Sequence, residues 1–267
     1  MAASPKFTIA TVTYNAAALI ERTIHSVELQ NYPAVEHLIV DGNSHDDTLT
    51  HIHHYQERNS RAAVRHEIVC SSEPDEGLYD AMNKAIEMAT GQYILFLNAG
   101  DTLPAADTLT RVAQAIMQSR SKANGVWPAI AYADTNMVDA QGHVIGPRRL
   151  RPPHKLTWRS FKSGMLVCHQ AFYVNTALAR LTPYDLRYRF SADFDWCIRL
   201  MRYAARHHQP IVNVGCVTAH YLSEGLTTRH HQASLKERFR IMVHHYGLIT
   251  TLIKHAQFAL RNPKRKL

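Results

Sequence analysis

Length, composition and charge limit the classes to which this protein can belong. The chain has 267 residues, of which 46% are hydrophobic and 19% charged, a balance that suits one sizeable globular domain and excludes a disordered or collagen-like chain. The formal net charge of +8 hides a division, because residues 1–139 carry 9 basic and 17 acidic side chains whereas residues 140–267 carry 21 and 5.

Cysteine spacing and hydropathy bear on the cellular compartment. The four cysteines form no C-x-x-C pair, so neither a disulfide framework nor a cysteine zinc site is indicated, and a reducing cytosol is expected. The N-terminal residues lack the apolar stretch of a signal peptide, and polar residues interrupt the most apolar later stretch, residues 246–260. We therefore expect a cytoplasmic protein that is soluble or peripheral to a membrane.

Strand and helix patterns alternate over the first hundred residues. Apolar and β-branched runs predict strands at residues 7–13, 35–40, 66–70 and 93–97, and apolar residues at helical spacing predict a helix after each strand. Such alternation is typical of right-handed β-α-β units. We therefore expect an α/β fold with a mostly parallel central sheet flanked by helices.

The pattern loosens beyond residue 125. It predicts a strand at residues 129–133, a hairpin at 142–146, a helix at 192–205 and a strand at 211–217. Two amphipathic helices are expected to complete the chain as a C-terminal helical extension.

Acidic residues follow several of the predicted strands. Asp41, the pair Asp75 and Glu76, and Asp101 lie at or just past strand ends, where the loops and helix N-termini of an open α/β sheet converge on a ligand. The dinucleotide fingerprint G-x-G-x-x-G is absent after the first strand, which predicts a different nucleotide as the ligand. The alternative is that these acids only cap helices.

Four segments together resemble a known family. They are FTIATVTYN at residues 7–15, LIVDGNSHDDT at 38–48, SEPDEGLYDAMNK at 72–84 and GQYILFLNAGD at 91–101. In order and spacing they resemble the family 2 glycosyltransferases, which have the GT-A fold with a Rossmann-like sheet. The chain is most similar to the bacterial branch that builds cell-surface polysaccharides, including colanic-acid-type enzymes, and the resemblance continues more loosely through residues 193–228.

The resemblance implies a reaction and a cofactor. Family members transfer a sugar from a nucleotide diphosphate sugar with inversion at the anomeric centre. They use Mn²⁺ or Mg²⁺, since a hard cation bridges phosphate oxygens and neutralises charge on the departing diphosphate. The D-x-D-like motif of the family is reduced here to Asn98-Ala-Gly-Asp101. Asp101 is therefore the expected metal ligand, and Asn98 is expected to contact the ribose or a metal-bound water.

The resemblance also implies a donor pocket. Asp41 matches the family carboxylate that contacts the base or ribose of the donor. The other residues expected to line the nucleotide-sugar pocket are Thr13, Tyr14, Asn15, Asp75, Asn83 and Lys84. For Lys84, the alternative is that it lies on a solvated surface.

The catalytic base is expected at the start of the helix at residues 192–205. The sequence Ser191-Ala-Asp193-Phe-Asp195 resembles the E-D-x-D/E motif of the family, in which the second residue takes the proton of the acceptor hydroxyl. Asp193 matches that residue, while Ala192 replaces the acid before it. An N-terminal cap is the alternative role of Asp193, and Asp195 is expected to be structural or to contact the acceptor.

Two further segments resemble parts of the family site. His169 and Gln170 lie in a segment that runs under the donor sugar, so they are candidate sugar or acceptor contacts. His220 precedes the segment 223–229, which matches the position of a mobile loop that closes on the diphosphate in the family, so His220 or Arg229 could contact phosphate or metal.

The resemblance divides the chain into functional parts. It implies a catalytic domain over residues 1–228, with a nucleotide-sugar-binding half at 1–139 and an acceptor and base half at 140–228, followed by basic amphipathic helices over 229–267. The last region combines apolar and basic residues, as an interfacial helix does. The resemblance implies an acceptor carried on polyprenyl diphosphate at the inner face of the membrane, so we expect contact with an anionic membrane there. The alternative is that the apolar face packs on the catalytic domain. A nucleic acid partner is not expected, since no reading or stacking motif is present.

Two other functions are compatible with parts of the sequence. The reduced Asn98–Asp101 motif and Ala192 favour a catalytically inactive subunit that binds nucleotide sugars. A nucleotidyltransferase would share the sheet, but it is disfavoured because no glycine-rich basic loop follows the first strand.

Overall fold

A computed structural model of the chain describes residues 4–222 and 231–261. Strands and helices alternate along most of this length, and two short 3-10 helices lie at Trp158–Ser163 and His169–Ala171. In chain order the elements are β1 (Phe7–Thr13), α1 (Ala17–Glu28), β2 (Val35–Asp41), α2 (Thr48–Asn59), β3 (Glu67–Ser72), α3 (Leu78–Met88), β4 (Tyr93–Phe96), α4 (Thr108–Lys122), β5 (Ile130–Val138), β6 (Val144–Pro147), β7 (Phe172–Asn175), α5 (Thr176–Leu181), α6 (Ala192–Arg206), β8 (Ile211–Leu222), α7 (His231–Tyr246) and α8 (Leu248–Arg261).

The strands form one sheet that is largely parallel. Its order is β3-β2-β1-β4-β7-β5-β6, and β8 pairs with β5 in parallel. The expected α/β fold with a mostly parallel central sheet, flanking helices and C-terminal helices is confirmed. Within the parallel part, Thr13 pairs with Asp41 and Asp41 pairs with Ser72. The carboxyl ends of β1, β2 and β3 therefore lie side by side.

Strand β7 runs against its two neighbours. It pairs antiparallel with β4 and with β5, so the residues just before it lie at the edge of the sheet where the parallel strands end. The sequence patterns missed β7 and α5 because β7 is a four-residue strand with three buried residues in succession. A short apolar run of this kind shows no alternation from which a strand could be predicted.

A stack of aromatic rings joins α3 to α6. The ring of Tyr184 lies 5.3 Å from that of Tyr79 and 4.5 Å from that of Trp196, and all three side chains are buried. Large aromatic side chains contribute strongly to a core, and stacked pairs add about 0.5–1.5 kcal/mol beyond burial. This packing sets the position of the N-terminus of α6 relative to α3.

The two C-terminal helices differ in how they meet the rest of the protein. Ile241 and Met242 of α7 belong to the main hydrophobic core, whereas α8 exposes Leu248, Ile249 and Ile253. No helix within the described residues is long and apolar enough to cross a membrane. The domain boundary at residues 228 and 229 stays a prediction, and it falls outside the described residues.

Candidate active site

Gly42, just after β2, faces the side chains of Asp75 and Tyr14, two of the residues predicted to line the nucleotide-sugar pocket, and we refer to this part of the predicted pocket as the Gly42 pocket. A Cβ added at Gly42 would lie 2.6 Å from Oδ2 of Asp75 and 3.4 Å from the Tyr14 ring, so a larger residue would collide with the Asp75 carboxylate. The Tyr14 side chain is 60% exposed, and Oδ1 of Asp75 accepts the backbone N–H of Gly77 at 2.8 Å. The pocket thus offers an aromatic face, a bare backbone and a carboxylate oxygen, which suits a planar base that carries an N–H group.

Asp41 lies below this pocket and is fully buried. Its Oδ2 accepts hydrogen bonds from the Ser44 N–H at 2.9 Å and the Ser72 hydroxyl at 2.7 Å, and its Oδ1 accepts the Ser44 hydroxyl at 2.5 Å. These bonds fix the turn after β2 and join it to β3. The structure therefore shows Asp41 supporting the pocket, and its direct contact with a base or ribose stays a prediction.

The loop after β1 is held by the loop after β2. The Asn15 N–H donates to the Ser44 hydroxyl at 2.8 Å, and Oδ1 of Asn15 accepts the N–H of His45 at 2.9 Å. Asn15 has a φ of 47°, a left-handed conformation that asparagine tolerates better than most residues. Thr13 is buried, and its hydroxyl has no hydrogen-bond partner among the described residues. The contact of Thr13, Tyr14 and Asn15 with a nucleotide sugar stays a prediction.

Asp101 is a buried carboxylate near the end of β4. Its Oδ1 accepts the N–H of Leu222 at 2.9 Å and its Oδ2 accepts Nε2 of Gln170 at 2.8 Å. Burial raises the pKa of Asp101 to about 6, although both hydrogen bonds and the nearby side chains of His169 and Arg22 act in the opposite direction. A carboxylate in so apolar a place gains from a nearby cation.

The end of β8 lies against the Asp101 loop. His220 exchanges two backbone hydrogen bonds with Thr102, at 2.8 and 3.0 Å, which places this histidine near Asp101. Burial, together with the charge of Arg22, lowers the pKa of His220. Arg229, the other residue predicted to contact the diphosphate, lies outside the described residues.

Asp193 is held in the first turn of α6 by donors from three directions. Its Oδ1 accepts the Phe194 N–H at 2.9 Å and the Tyr79 hydroxyl at 3.2 Å, and its Oδ2 lies 3.5 Å from Nδ1 of His169. Burial alone would raise the pKa of Asp193, but His169, the charge of Arg238 and the Phe194 N–H together hold this pKa below its usual value. The side chain therefore stays an ionised carboxylate that can accept a proton.

Tyr79 remains a hydrogen-bond donor next to this carboxylate. Burial, reinforced by the negative charge of Asp193, raises the pKa of the Tyr79 hydroxyl well above its usual value. The phenol thus keeps its proton at neutral pH and can stabilise the ionised base.

One imidazole lies between the β4 loop and Asp193. Nδ2 of Asn98 is 3.1 Å from Nε2 of His169, and the opposite ring nitrogen faces the Asp193 carboxylate. His169 can make both contacts because it directly precedes the antiparallel strand β7. The structure thus brings together four residues that were predicted separately: Asn98, Asp101, His169 and Asp193.

Three other predicted site residues make contacts within the fold. Asn83 bonds the backbone N–H and C=O of Tyr184 with its amide, at 2.8 and 3.0 Å. Lys84 contacts the Pro74 carbonyl at 2.8 Å and Glu73 at 3.2 Å. Gln170 is buried and holds Asp101. Their predicted contacts with donor or acceptor stay predictions.

Asp195 joins α6 to α7. Its Oδ2 accepts Nε of Arg199 at 2.5 Å and its Oδ1 accepts Nε2 of His245 at 2.7 Å. The carboxylate is almost entirely buried. Burial would raise its pKa, but the His245 hydrogen bond and the Arg199 charge lower it below the usual value. This geometry favours the structural role over acceptor contact.

Sequence reasoning missed three residues at this site. Tyr79 and Gly42 fall inside the quoted segments. Only the structure shows that Tyr79 contacts Asp193 and that Gly42 leaves room for the Asp75 carboxylate. No sequence motif includes Arg238, and its position in α7 beside Asp193 depends on the packing of distant elements.

The described residues offer few ligands for the predicted metal ion. They contain no group of three or more His, Cys, Asp or Glu side chains that could together hold a metal ion. Asp101 is the carboxylate near the end of β4, and Oδ1 of Asn98 in the same loop is buried without a hydrogen-bond partner in the described part of the chain. This set fits a cation that takes most of its ligands from a bound diphosphate and water.

The sequence match agrees with this geometry. Residues 8–177 match the family model described as Glycosyl transferase family 2. The chain belongs to glycosyl transferase family 2. It is therefore a glycosyltransferase that depends on a nucleotide-sugar donor, and the enzyme class predicted from the sequence is confirmed.

Two bacterial relatives illustrate the similarity of this glycosyltransferase to known proteins. The PGL/p-HBAD biosynthesis glycosyltransferase of Mycobacterium bovis is 34% identical over 198 residues, which cover 74% of this chain and 70% of the relative. The putative teichuronic acid biosynthesis glycosyltransferase TuaG of Bacillus subtilis is 37% identical over 97 residues, 36% of this chain and 36% of the relative.

Solved structures confirm the GT-A fold of the glycosyltransferase. S. aureus TarS 1-349 in complex with UDP-GlcNAc superposes with a TM-score of 0.66 at 15% identity, over 98% of this chain and 76% of that one. The mannosyltransferase PcManGT from Pyrobaculum calidifontis, in complex with GDP-Man and Mn²⁺, gives a TM-score of 0.59 at 18% identity, over 100% of this chain and 77% of that one.

The Gly42 pocket yields a first prediction. Replacing Gly42 with Ala places a Cβ against Asp75 and Tyr14, so nucleotide diphosphate binding should weaken by about tenfold or more, an expected loss of roughly 1.4 kcal/mol or more. Isothermal titration of UDP and GDP would measure the change. Thermal unfolding is the control, because the Asp75 carboxylate is the far end of a side chain that can turn aside, so the melting temperature should hardly move. Unchanged affinity for UDP and GDP would contradict the prediction that the nucleotide binds beside Gly42.

The contacts of Asp195 yield a second prediction. Asp195→Ala leaves Arg199 and a buried His245 without their partner, and breaking such a buried pair costs about 3–5 kcal/mol. Urea unfolding should show this loss, whereas Asp185→Ala, which removes a partner of an exposed arginine, should cost less than about 1 kcal/mol. A variant with wild-type stability but without activity would instead indicate acceptor contact.

Proposed function

We propose that this protein is an inverting glycosyltransferase of cell-surface polysaccharide or glycolipid synthesis. It would move a sugar from a nucleotide diphosphate donor to a hydroxyl of a lipid-linked saccharide by direct displacement, with Asp193 as the general base. The observation that carries the proposal is the arrangement around His169, whose ring lies 3.5 Å from Oδ2 of Asp193 and 3.1 Å from Nδ2 of Asn98 in the loop that also holds Asp101. A donor-side carboxylate and an ionised base thus flank one imidazole.

The proposed step balances as a single displacement. The acceptor oxygen forms a bond to the anomeric carbon while the bond from that carbon to the phosphate oxygen breaks, and the electron pair leaves with the nucleoside diphosphate. Asp193 takes the acceptor proton. Because the pKa of Asp193 is held low, the carboxylate is a weak base, and proton transfer should occur late, as the attacking oxygen becomes acidic.

A divalent cation would be held on the donor side. Asp101 is the candidate ligand, with Asn98 oriented to contact the ribose or a metal-bound water. When bound, Mn²⁺ or Mg²⁺ would neutralise charge on the leaving diphosphate. As the pH falls through about 6, Asp101 gains a proton and loses its attraction for a cation.

The similar proteins support the proposed substrates. TarS is in complex with UDP-GlcNAc, and PcManGT is in complex with GDP-Man and Mn²⁺. The two relatives are named for PGL/p-HBAD biosynthesis and for teichuronic acid biosynthesis. These names support an acceptor in the cell envelope, while the colanic-acid-like branch stays a prediction.

A second candidate function is a catalytically inactive subunit that binds nucleotide sugars. It is favoured by the sparse metal site, which has no group of three ligand side chains in the described ranges. Such a subunit would keep the Gly42 pocket but would not use Asp193.

Loss of the base distinguishes these functions. Asp193→Asn keeps the shape but removes the proton acceptor, so release of nucleotide from the donor should fall by about 10²–10⁴-fold. Nucleotide release from a panel of nucleotide sugars in the presence of Mn²⁺ would measure this decrease. In Asp101→Asn, adding Mn²⁺ should no longer increase nucleotide release. Asp139→Asn, in an exposed turn, is the matched control. Tight nucleotide binding without turnover of any donor would support the inactive subunit.

We further propose that α8 docks the enzyme on an anionic membrane surface at the inner face of the cell membrane. The α8 side chains of Ile249 and Ile253 are 76% and 54% exposed. Where α7 meets α8, Tyr246 stacks on Trp158, and Arg159, Lys162 and Arg202 lie over these two rings. Exposed apolar residues beside aromatic and basic side chains are typical of a helix that lies in a lipid headgroup layer.

Vesicle binding tests this surface. The wild-type chain should sediment with vesicles of phosphatidylglycerol and phosphatidylcholine and much less with phosphatidylcholine alone. The double change Ile249→Gln and Ile253→Gln should lower partitioning by about tenfold or more, since it removes roughly 1.5–3 kcal/mol of burial for each side chain. Leu181→Gln, at an equally exposed position on α5, is the control. Equal sedimentation of all three proteins would contradict the membrane proposal.

A further inference from the structure

The hydrogen-bond directions around His169 define where its ring proton lies. Nδ2 of Asn98 can only donate, so Nε2 of His169 must accept this 3.1 Å bond. The proton of a neutral imidazole then lies on Nδ1, which faces Oδ2 of Asp193 at 3.5 Å. The ring thus presents an N–H group to the base.

The opposite orientation of the Asn98 amide would reverse this arrangement. Its Oδ1 would face Nε2, which would then need the proton, and the lone pair of Nδ1 would face the Asp193 carboxylate. Two acceptors in contact repel each other, so Asp193 would lose its partner on this side. The orientation of one amide therefore decides whether His169 supports or repels the base.

The far end of the Asn98 amide would favour the orientation with Nδ2 toward His169 when a hydrogen-bond donor is bound at the site. Oδ1 is buried and has no hydrogen-bond partner among residues 4–222 and 231–261, and leaving a buried acceptor unsatisfied costs about 1–3 kcal/mol. Asn98 also accepts the backbone N–H of Asp101 with its carbonyl, at 2.9 Å. The amide is therefore built into the donor-side loop, where a ribose hydroxyl or a bound water could donate to Oδ1.

We propose that Asn98 fixes the tautomer of His169 and that His169 is thereby a positioning residue for Asp193. This inference rests on the proposed function, because it concerns how Asp193, the proposed base, is held in place. The Asp193 carboxylate takes its other hydrogen bonds from Phe194 of its own helix and from Tyr79 of α3. His169 is the partner that joins it to the loop of Asp101, so the donor side of the site and the base are held in one arrangement.

The tautomer can be tested without turnover. Long-range ¹⁵N–¹H spectra of the whole protein distinguish Nδ1–H from Nε2–H histidine, and the His169→Gln spectrum identifies the signal among the 18 histidines. We expect Nδ1–H in the wild type, which is not the tautomer that free histidine favours. Asn98→Asp offers only acceptors to Nε2, so it should place a proton there. An Nε2–H signal in the wild type, or no change in Asn98→Asp, would overturn the proposal.

Kinetics test the consequence for the base. His169→Leu should lower kcat for donor hydrolysis by about 10- to 100-fold with little change in KM, as expected for loss of a residue that orients a catalytic group. His169→Asn keeps an N–H donor near the position of Nδ1 and should recover much of this loss. A kcat for His169→Leu equal to that of the wild type would overturn the positioning role.

These measurements distinguish failure of the proposed function from failure of the tautomer assignment. If the wild type turns over no donor but shows the Nδ1–H tautomer and its dependence on Asn98, the hydrogen-bond assignment is supported and the proposed catalytic function is contradicted. If turnover depends on Asp193 but the tautomer is Nε2–H, the proposed function stands and this inference is wrong.

Discussion

The site depends on the direction of one short strand. Because β7 runs antiparallel between β4 and β5, the residues before it reach the edge at which the parallel strands end, instead of the opposite edge. His169 and Gln170 occupy that turn, and they contact Asn98 and Asp101 of the β4 loop. A parallel strand in this place would have sent both side chains away from the site, since consecutive parallel strands need a crossover connection.

This constraint explains how the buried Asp101 and the partly buried Asp193 coexist on either side of one loop. Both would be destabilised as anions by burial alone. Asp193 is compensated by three nearby donors and the charge of Arg238, so its pKa is low, whereas Asp101 keeps a raised pKa of about 6 despite its hydrogen bonds. The protein thus holds Asp193, the proposed base, ionised at neutral pH and leaves Asp101 in a place where a nearby cation would be favourable. The difference in environment, more than the residue type, separates the two roles.

Much of the fold could be predicted from the sequence, but less of the site. Residues 7–13 and 35–40 show β-branched runs so clear that β1 and β2 were expected within one residue of their observed ends. By contrast, the hydrogen bonds of Asp41 and Asp195 depend on Ser72 and His245, which lie 31 and 50 residues away. No local pattern encodes such contacts. The role of Gly42 is equally hidden, because only the packed neighbours show that a Cβ would collide.

The stereochemistry of the product tests most directly whether the sugar is transferred by a single displacement with Asp193 as the base. If Asp193 activates the acceptor for a single displacement, the anomeric configuration must be opposite to that of the donor sugar. Proton NMR of the product formed from a donor that the enzyme turns over, recorded at early times, measures this from the anomeric coupling constant. We expect inversion in the product of the wild type, and we expect Asp193→Asn to form little product. A product with the configuration of the donor would contradict a single displacement.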